Sequence, residues 1–162
     1  VMLYRRAVLI AVSAVAVGSA AAVYVSASSA SGTDDAIAVP VPDARVAAYC
    51  RALHAELPAR VGGLPRHDLK PSSDLIAGWG SPPVVLRCGV PRPAADDDVN
   101  TLGAEVDGVS WSYEARPDGS VRMTTTLRKA YVEVTLPKKY AHDAGPLADL
   151  APAVKRTVPE GV

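Results

Sequence analysis

Residues 7–25 read AVLIAVSAVAVGSAAAVYV and contain no charged side chain. As a helix rising 1.5 Å per residue, the run spans roughly 28 Å, the thickness of a bilayer core. Tyr4 and Tyr24 stand near its two ends, where interfacial side chains belong. Arg5 and Arg6 precede it and hold that end on the cytoplasmic side. The same features, a charged start, an apolar run and then small residues, also describe a signal peptide. Cleavage would follow Ala27 or Ala30. Membrane anchor and cleaved signal both remain open, and they share one consequence: everything after residue 25 is expected outside the cytoplasm. No cysteine closely follows the run, which excludes an acylated lipoprotein.

That location restricts the fold. Residues 1–6 are expected as a cytoplasmic segment, 7–25 as anchor or signal, 26–42 as a small, polar, proline-punctuated tether, and 43–158 as one extracytoplasmic domain. An apolar content of 49% against 21% charged residues suits a packed body. Phe is absent, so Val, Leu, Ala and the few Trp and Tyr must supply the core volume. Two cysteines in an exported domain most simply form a disulfide. Bridging Cys50 and Cys88 would remove about 4 kcal/mol of unfolded-chain entropy. Two buried free thiols are the alternative.

The pattern after the tether predicts an α+β domain: an antiparallel sheet of about four strands with two helices packed on one face, preceded by one N-terminal hydrophobic helix. Asp43 stands at an N-cap position ahead of Val46, Cys50, Leu53 and Leu57 at helical spacing, and Pro58 ends that helix. One short strand is expected near residues 66–69. A single helical turn is expected over residues 74–77, behind Ser72 or Ser73. Pro82 and Pro83 cannot lie inside a sheet, so they precede a strand over residues 84–88, apolar enough to be central. A second strand is expected over residues 105–116, with Val109, Trp111 and Tyr113 on one face. Pro117, Asp118 and Gly119 mark a hairpin. The next strand carries Val121, Met123, Thr125 and Leu127 inward. Parity then switches to Ala130, Val132, Val134 and Leu136, which indicates a tight turn near Arg128 and Lys129. Residues 145–156 read as a helix with Leu147, Leu150 and Val154 inward. Pro152 inside it predicts two short pieces.

Several of these residues, in order, resemble a family. They are Trp79-Gly80, Pro82, Val84, the Leu86-Arg87-Cys88-Gly89-Val90 run, Val109 with Trp111, Thr124-Thr125, Arg128, and Tyr131-Val132-Glu133-Val134. They resemble an actinobacterial family known only as domain of unknown function 3515. The resemblance covers about residues 50–158. It implies a small exported or membrane-anchored protein of unassigned activity, and supplies no catalytic residues.

The residues themselves exclude several chemistries. Formal charge balances at 17 basic against 17 acidic groups, and no basic cluster stands out, so nucleic acid is not an expected partner. There is no Gly-x-Ser-x-Gly or Ser-x-x-Lys motif. His54, His67 and His142 are scattered without metal-ligand spacing, and Asp96-Asp97-Asp98 lacks the spaced oxygen ligands of a calcium loop. No metal and no cofactor is expected. Glu114 and Glu133 lie on strands and could meet across the sheet. Trp79, Arg87, Arg128 and Tyr131 are the candidate ligand- or partner-binding residues, since an aromatic face beside a guanidinium can hold a sugar or a carboxylate. Trp111 is expected in the core, and Glu133 is a candidate partner for Arg87.

The functional expectation is a non-enzymatic cell-envelope module, membrane-anchored or secreted, meeting an envelope protein or wall glycan on the sheet's free face. The alternative is a small envelope hydrolase, with His67 or His142 close to a carboxylate in a pocket. A third reading is a subunit of a membrane complex. Gly18, Ser19 and the alanines of the apolar run would then allow close helix packing.

Overall fold

The computed structural model describes residues 36–161. The apolar run lies outside the described residues, as does most of the expected tether. Among the described residues, no helix is long and apolar enough to cross a membrane.

Helix α1 (Ala44–Glu56) starts where the sequence puts it. Asp43 Oδ1 accepts from the amides of Arg45 and Val46, both at 2.9 Å, which satisfies two of the orphan donors at a helix start. Eight strands follow: β1 (Arg60–Val61), β2 (Leu64–His67), β3 (Ile76–Trp79), β4 (Val84–Val90), β5 (Gly103–Val106), β6 (Val109–Ala115), β7 (Val121–Thr125) and β8 (Tyr131–Leu136). Helix α2 (Gly145–Thr157) closes the domain. All pairings are antiparallel, and the strand order is β1-β2-β3-β4-β8-β7-β6-β5. The sheet is therefore two four-stranded meanders that meet at the β4–β8 pair. Residues 91–102 carry the chain across from the first meander to the far edge of the second.

The expectation of about four strands is overturned by this count. The sheet has eight, and the extra ones have identifiable origins. Strand β2, four residues long, is the short strand expected near residues 66–69, set two residues earlier, and β1, two residues long, is too short for period-2 alternation to be visible. The turn expected over residues 74–77 is instead the approach to and first half of β3. Its Ile-Ala-Gly-Trp sequence has weak strand propensity, yet all four residues are buried. The long strand expected over residues 105–116 is a hairpin. Asp107 (φ 49°) and Gly108 (φ 77°) both adopt left-handed backbone, the requirement of a two-residue hairpin turn.

Other expectations stand. Strand β4 is central and nearly continuously buried. Pro117–Gly119 joins β6 to β7, and a tight turn separates β7 from β8. The predicted break at Pro152 does not occur. Helix α2 runs unbroken for 13 residues, with Pro152 on its exposed side while Leu147, Leu150, Ala151 and Val154 are buried.

Both helices contribute to a single core with the inward residues of the sheet: Val84, Leu86, Trp111, Val132 and Val134 are all essentially inaccessible. Cys50 of α1 and Cys88 of β4 are disulfide-bonded within it, Cα atoms 5.5 Å apart. The bridge fastens the first helix to the central strand. Arg128 performs a similar task in the second meander. Its guanidinium is buried and donates to Val158 O at 2.7 Å and Gly108 O at 3.4 Å, tying the β7–β8 turn to the end of α2 and to the β5–β6 turn.

The opposite face of the sheet is dressed by three things. Residues 36–42 pass beside β4, where Ala38 O accepts from Arg87 Nε at 2.9 Å. Pro42 lies so close to Gly89 (φ 85°) that a Cβ there would stand 2.7 Å from its Cγ. A chain of charges crosses β4, β8, β7 and β6. Arg87 donates to Glu133 at 3.0 Å, Arg122 contacts Glu133 and Glu114 at 3.3 Å each, and Arg116 reaches Glu114 at 3.9 Å. The third element is the crossover, residues 91–102, which rests over β5 and β6.

Candidate functional site

The crossover is held up from the sheet rather than laid flat upon it. Its single 3-10 turn (Ala94–Asp97) follows Pro93. Arg92 clamps the turn by donating to Asp97 Oδ1 at 3.0 Å and to Asp96 O at 3.4 Å. The Thr101 hydroxyl donates to Ala95 O, and Asp98 Oδ1 accepts from the amide and side chain of Asn100 at 2.9 and 3.1 Å. These local bonds stiffen the arch. Beneath it lies an open cavity of about 490 Å³, floored by β5, β6 and the start of β8, within the range of small-ligand sites. A second hollow of about 360 Å³ adjoins it, bounded by Gly108, Arg128 and Glu160. Leu127 lines both, as do Glu105, Ser110 and Thr126.

Leu127 is the unusual residue. It is 62% exposed and has φ of 56°. A leucine in left-handed backbone costs about 1–2 kcal/mol in strain, and exposing it forgoes roughly another 1.5 kcal/mol of burial. Leu102, 69% exposed, lines the same cavity. Tyr131 is half-buried in the floor. The charged lining is Asp96, Asp98 and Glu105 against the single, already paired Arg92, and Thr101, Ser110, Ser112, Thr126 and Tyr131 add hydroxyls. Asp96 Oδ1 is shielded from solvent and makes no hydrogen bond. Burial pushes the Asp96 carboxyl above the usual carboxylate range, an effect that Arg92 and the Ser112 hydroxyl oppose and Asp97 reinforces.

Of the four residues selected from sequence, the structure brings only Tyr131 into the larger cavity. Arg128 reaches the smaller one, its guanidinium already committed to backbone carbonyls and, at 3.6 Å, to Glu160. Trp79 is inaccessible in the core, and its indole donates to Pro58 O at 3.0 Å. Arg87 is bound to Glu133, the candidate partner named from the sequence, and to Ala38. The residues that sequence reasoning missed are Leu102, Leu127, Asp96 and Glu105. Leu127 was assigned inward as the last residue before the change of parity. That change was itself the signal that the chain leaves the sheet there.

Two of the histidines, His54 and His67, line a hollow of about 340 Å³ together with Asp68 and Asp74. His54 Nε2 lies 2.8 Å from Arg66, which can only donate, so that nitrogen is the acceptor. Its Nδ1 faces Asp74 at 3.8 Å. Burial and Arg66 hold the His54 pKa below its ordinary value. His67 Nε2 is occupied by Gly80 O at 2.9 Å, and His142 is exposed. No group of three or more metal-ligating side chains occurs among the described residues.

Comparison with known proteins agrees with the ordered motifs. A family model described as a protein of unknown function, DUF3515, matches residues 8–162. No curated protein and no solved structure matches the chain. With nearly its whole length covered by that family model, the chain belongs to the DUF3515 family.

Proposed function

We propose that this is a non-catalytic extracytoplasmic binding module, presenting the groove beneath the crossover to an envelope partner. The observation that carries the reading is Leu127. A glycine or asparagine would relax the backbone at φ 56° and a polar side chain would suit its exposure. A leucine there suffers both costs, which a partner covering it would offset. Leu102, which lines the same cavity, and the stiffened arch give that surface further apolar contact and a fixed shape. The apolar run of residues 7–25 and the disulfide support an extracytoplasmic setting.

The test is site-specific photocrosslinking in the native host, with the photoreactive amino acid at position 102, at position 127, or at exposed Arg51 on α1. The reading requires one discrete adduct from positions 102 and 127 that is absent from position 51. That adduct should be abolished by Leu127→Asp in the position-102 protein without loss of folding. Identical adduct patterns from all three positions would refute it.

A further inference from the structure

We propose that His54 is a pH-operated latch at the β1–β2 edge of the sheet: the neutral ring ties β2 to α1 through Arg66, and the protonated ring exchanges Arg66 for Asp74 and releases that edge. The latch stands at the opposite end of the strand order from the groove and does not depend on it.

Arg66 fixes the roles of donor and acceptor. A guanidinium has five N–H donors and no lone pair to offer. His54 Nε2, 2.8 Å from Arg66 Nη2, is therefore an acceptor, and the proton of the neutral ring sits on Nδ1. That bond is the short one. The other two bonds of the guanidinium, from Nη1 to His54 O and Leu57 O, are both 3.5 Å long, near the limit at which a hydrogen bond counts. All three run to α1 or to Leu57, its C-cap. Arg66 thus fastens β2 to the end of α1, and His54 carries most of that grip.

Protonation inverts the contact. A proton on Nε2 removes the lone pair that Arg66 uses and sets two cations 2.8 Å apart. On the other side of the ring, Nδ1 lies 3.8 Å from Asp74 Oδ1, too far for a hydrogen bond from the neutral ring but close enough to attract a charged one. Asp74 is exposed on the loop before β3, where a side-chain rotation can close that gap. His54, Arg66 and Asp74 line the same hollow as His67 and Asp68, which gives solvent protons access to the ring. Arg51, one turn earlier on α1, is exposed. Burial and Arg66 hold the His54 pKa below 6.5 against the pull of Asp74, so the exchange falls below that pH. His67 works the other way. Its Nε2 and Nδ1 lie 2.9 Å from Gly80 O and 3.2 Å from Asp68 O, two acceptors, so a proton gained there adds a donor that holds β2 in place.

The edge is short enough to respond. Strands β1 and β2 are two and four residues long. Strand β2 meets β3 only where Arg66 opposes Trp79 and His67 opposes Gly78. Local opening of such an edge needs far less free energy than global unfolding.

The test is amide hydrogen exchange by NMR on the full chain in detergent, from about pH 7.5 to 4.5, a range that brackets the ordinary histidine pKa. Each rate is corrected for its intrinsic pH dependence. The reporters are the amides of Arg66, bonded to Ala59 O, and Gly80, bonded to Pro65 O, one on each side of β2. Thr126, bonded to Ser110 O in the second meander, is the control. Imidazole ¹⁵N shifts follow the His54 ring in the same samples. The neutral ring should be the Nδ1–H tautomer. As it titrates, protection of Arg66 and Gly80 should fall about tenfold, the effect of losing one hydrogen bond to a charged group, while Thr126 is unchanged. His54→Gln keeps an acceptor for Arg66 but gains no proton, and should hold both amides protected throughout. Asp74→Asn should move the His54 titration and the loss of protection together to lower pH. An Nε2–H neutral tautomer would overturn the latch, as would a ring that stays neutral across the range. So would protection that does not follow the titration, or the same loss in His54→Gln. If that variant does not fold, the parallel shift in Asp74→Asn decides, and its absence overturns the latch.

Discussion

Removing the disulfide is the most informative perturbation of the fold. Cys50 and Cys88 are separated by 38 positions. In the chain-entropy description, closing a loop of that length withdraws about 4 kcal/mol of unfolded-state freedom. Both sulfurs are inaccessible in the core, so Cys50→Ala with Cys88→Ala also leaves small voids, which add roughly 1 kcal/mol each. The expected loss is therefore about 4–6 kcal/mol, a large part of the 5–15 kcal/mol typical of a folded domain. For a domain of this size that corresponds to a fall of about 15–20 °C in melting temperature. The assay is urea unfolding of oxidised wild type and of the double variant, followed by tryptophan fluorescence and far-ultraviolet circular dichroism. The urea slope should be steeper in the variant, because an unlinked unfolded chain exposes more surface. Burial also implies that dithiothreitol reduces the native bridge only through unfolding, so reduction should accelerate in step with urea. A loss below about 1 kcal/mol with an unchanged slope would refute the reasoning, as would two free thiols on denaturing alkylation of the purified protein.

The two tryptophans should respond unequally to Phe. Trp79 Nε1 donates to Pro58 O at 3.0 Å, whereas Trp111 Nε1 is buried without a partner. Trp79→Phe should therefore cost about 1–2 kcal/mol more than Trp111→Phe in urea unfolding, and equal losses would contradict the assignment. Arg128→Met leaves Val158 O without its donor and should cost about 2–3 kcal/mol, which Lys at the same position should not fully restore because it cannot reach two carbonyls from a planar fork. His54 gives the pH response. Its folded pKa lies below the ordinary 6.5, so as pH falls through 6.5 the unfolded chain binds the proton first. The stability it contributes is complete above 6.5 and declines as pH drops toward the folded value. His54→Gln should flatten the urea midpoint between pH 7.5 and 5.0, and an unchanged slope would count against this role.

The groove explains why its residues were hard to read along the chain. Asp96 looked like one of three solvated carboxylates, and nothing in Asp96-Asp97-Asp98 shows that one of them turns toward a sheet contributed by residues far along the chain. Glu105 was placed near the start of a strand, but its position at the sheet edge follows from the crossover, a pairing of whole strands. Tyr131 was chosen for its aromatic ring and its alternation in β8, both local properties, and it does reach the cavity. Trp79 and Arg128 were chosen for the same chemical reasons, yet each spends its polar atoms on a backbone carbonyl in the folded state.

What the sequence determined by itself was whatever depends on neighbours within a few residues. The Asp43 cap and the face of α1, the parity of β4, β6 and β8, the hairpin at Pro117–Gly119 and the turn at the parity switch all follow from periods of 3.6 or 2 and from turn chemistry. The pairing of the only two cysteines was legible as well, as the simpler alternative to two buried free thiols, and the bridge is present. What only the tertiary structure decided was the strand count, the crossover between meanders and the site beneath it. Two- and four-residue strands such as β1 and β3 have too little local preference to form alone. They exist because neighbouring strands satisfy their backbone groups and the helices bury their side chains. Leu127 is exposed for the same reason: the register of β7 with β8, a long-range property, forces the chain to turn where a leucine happens to stand.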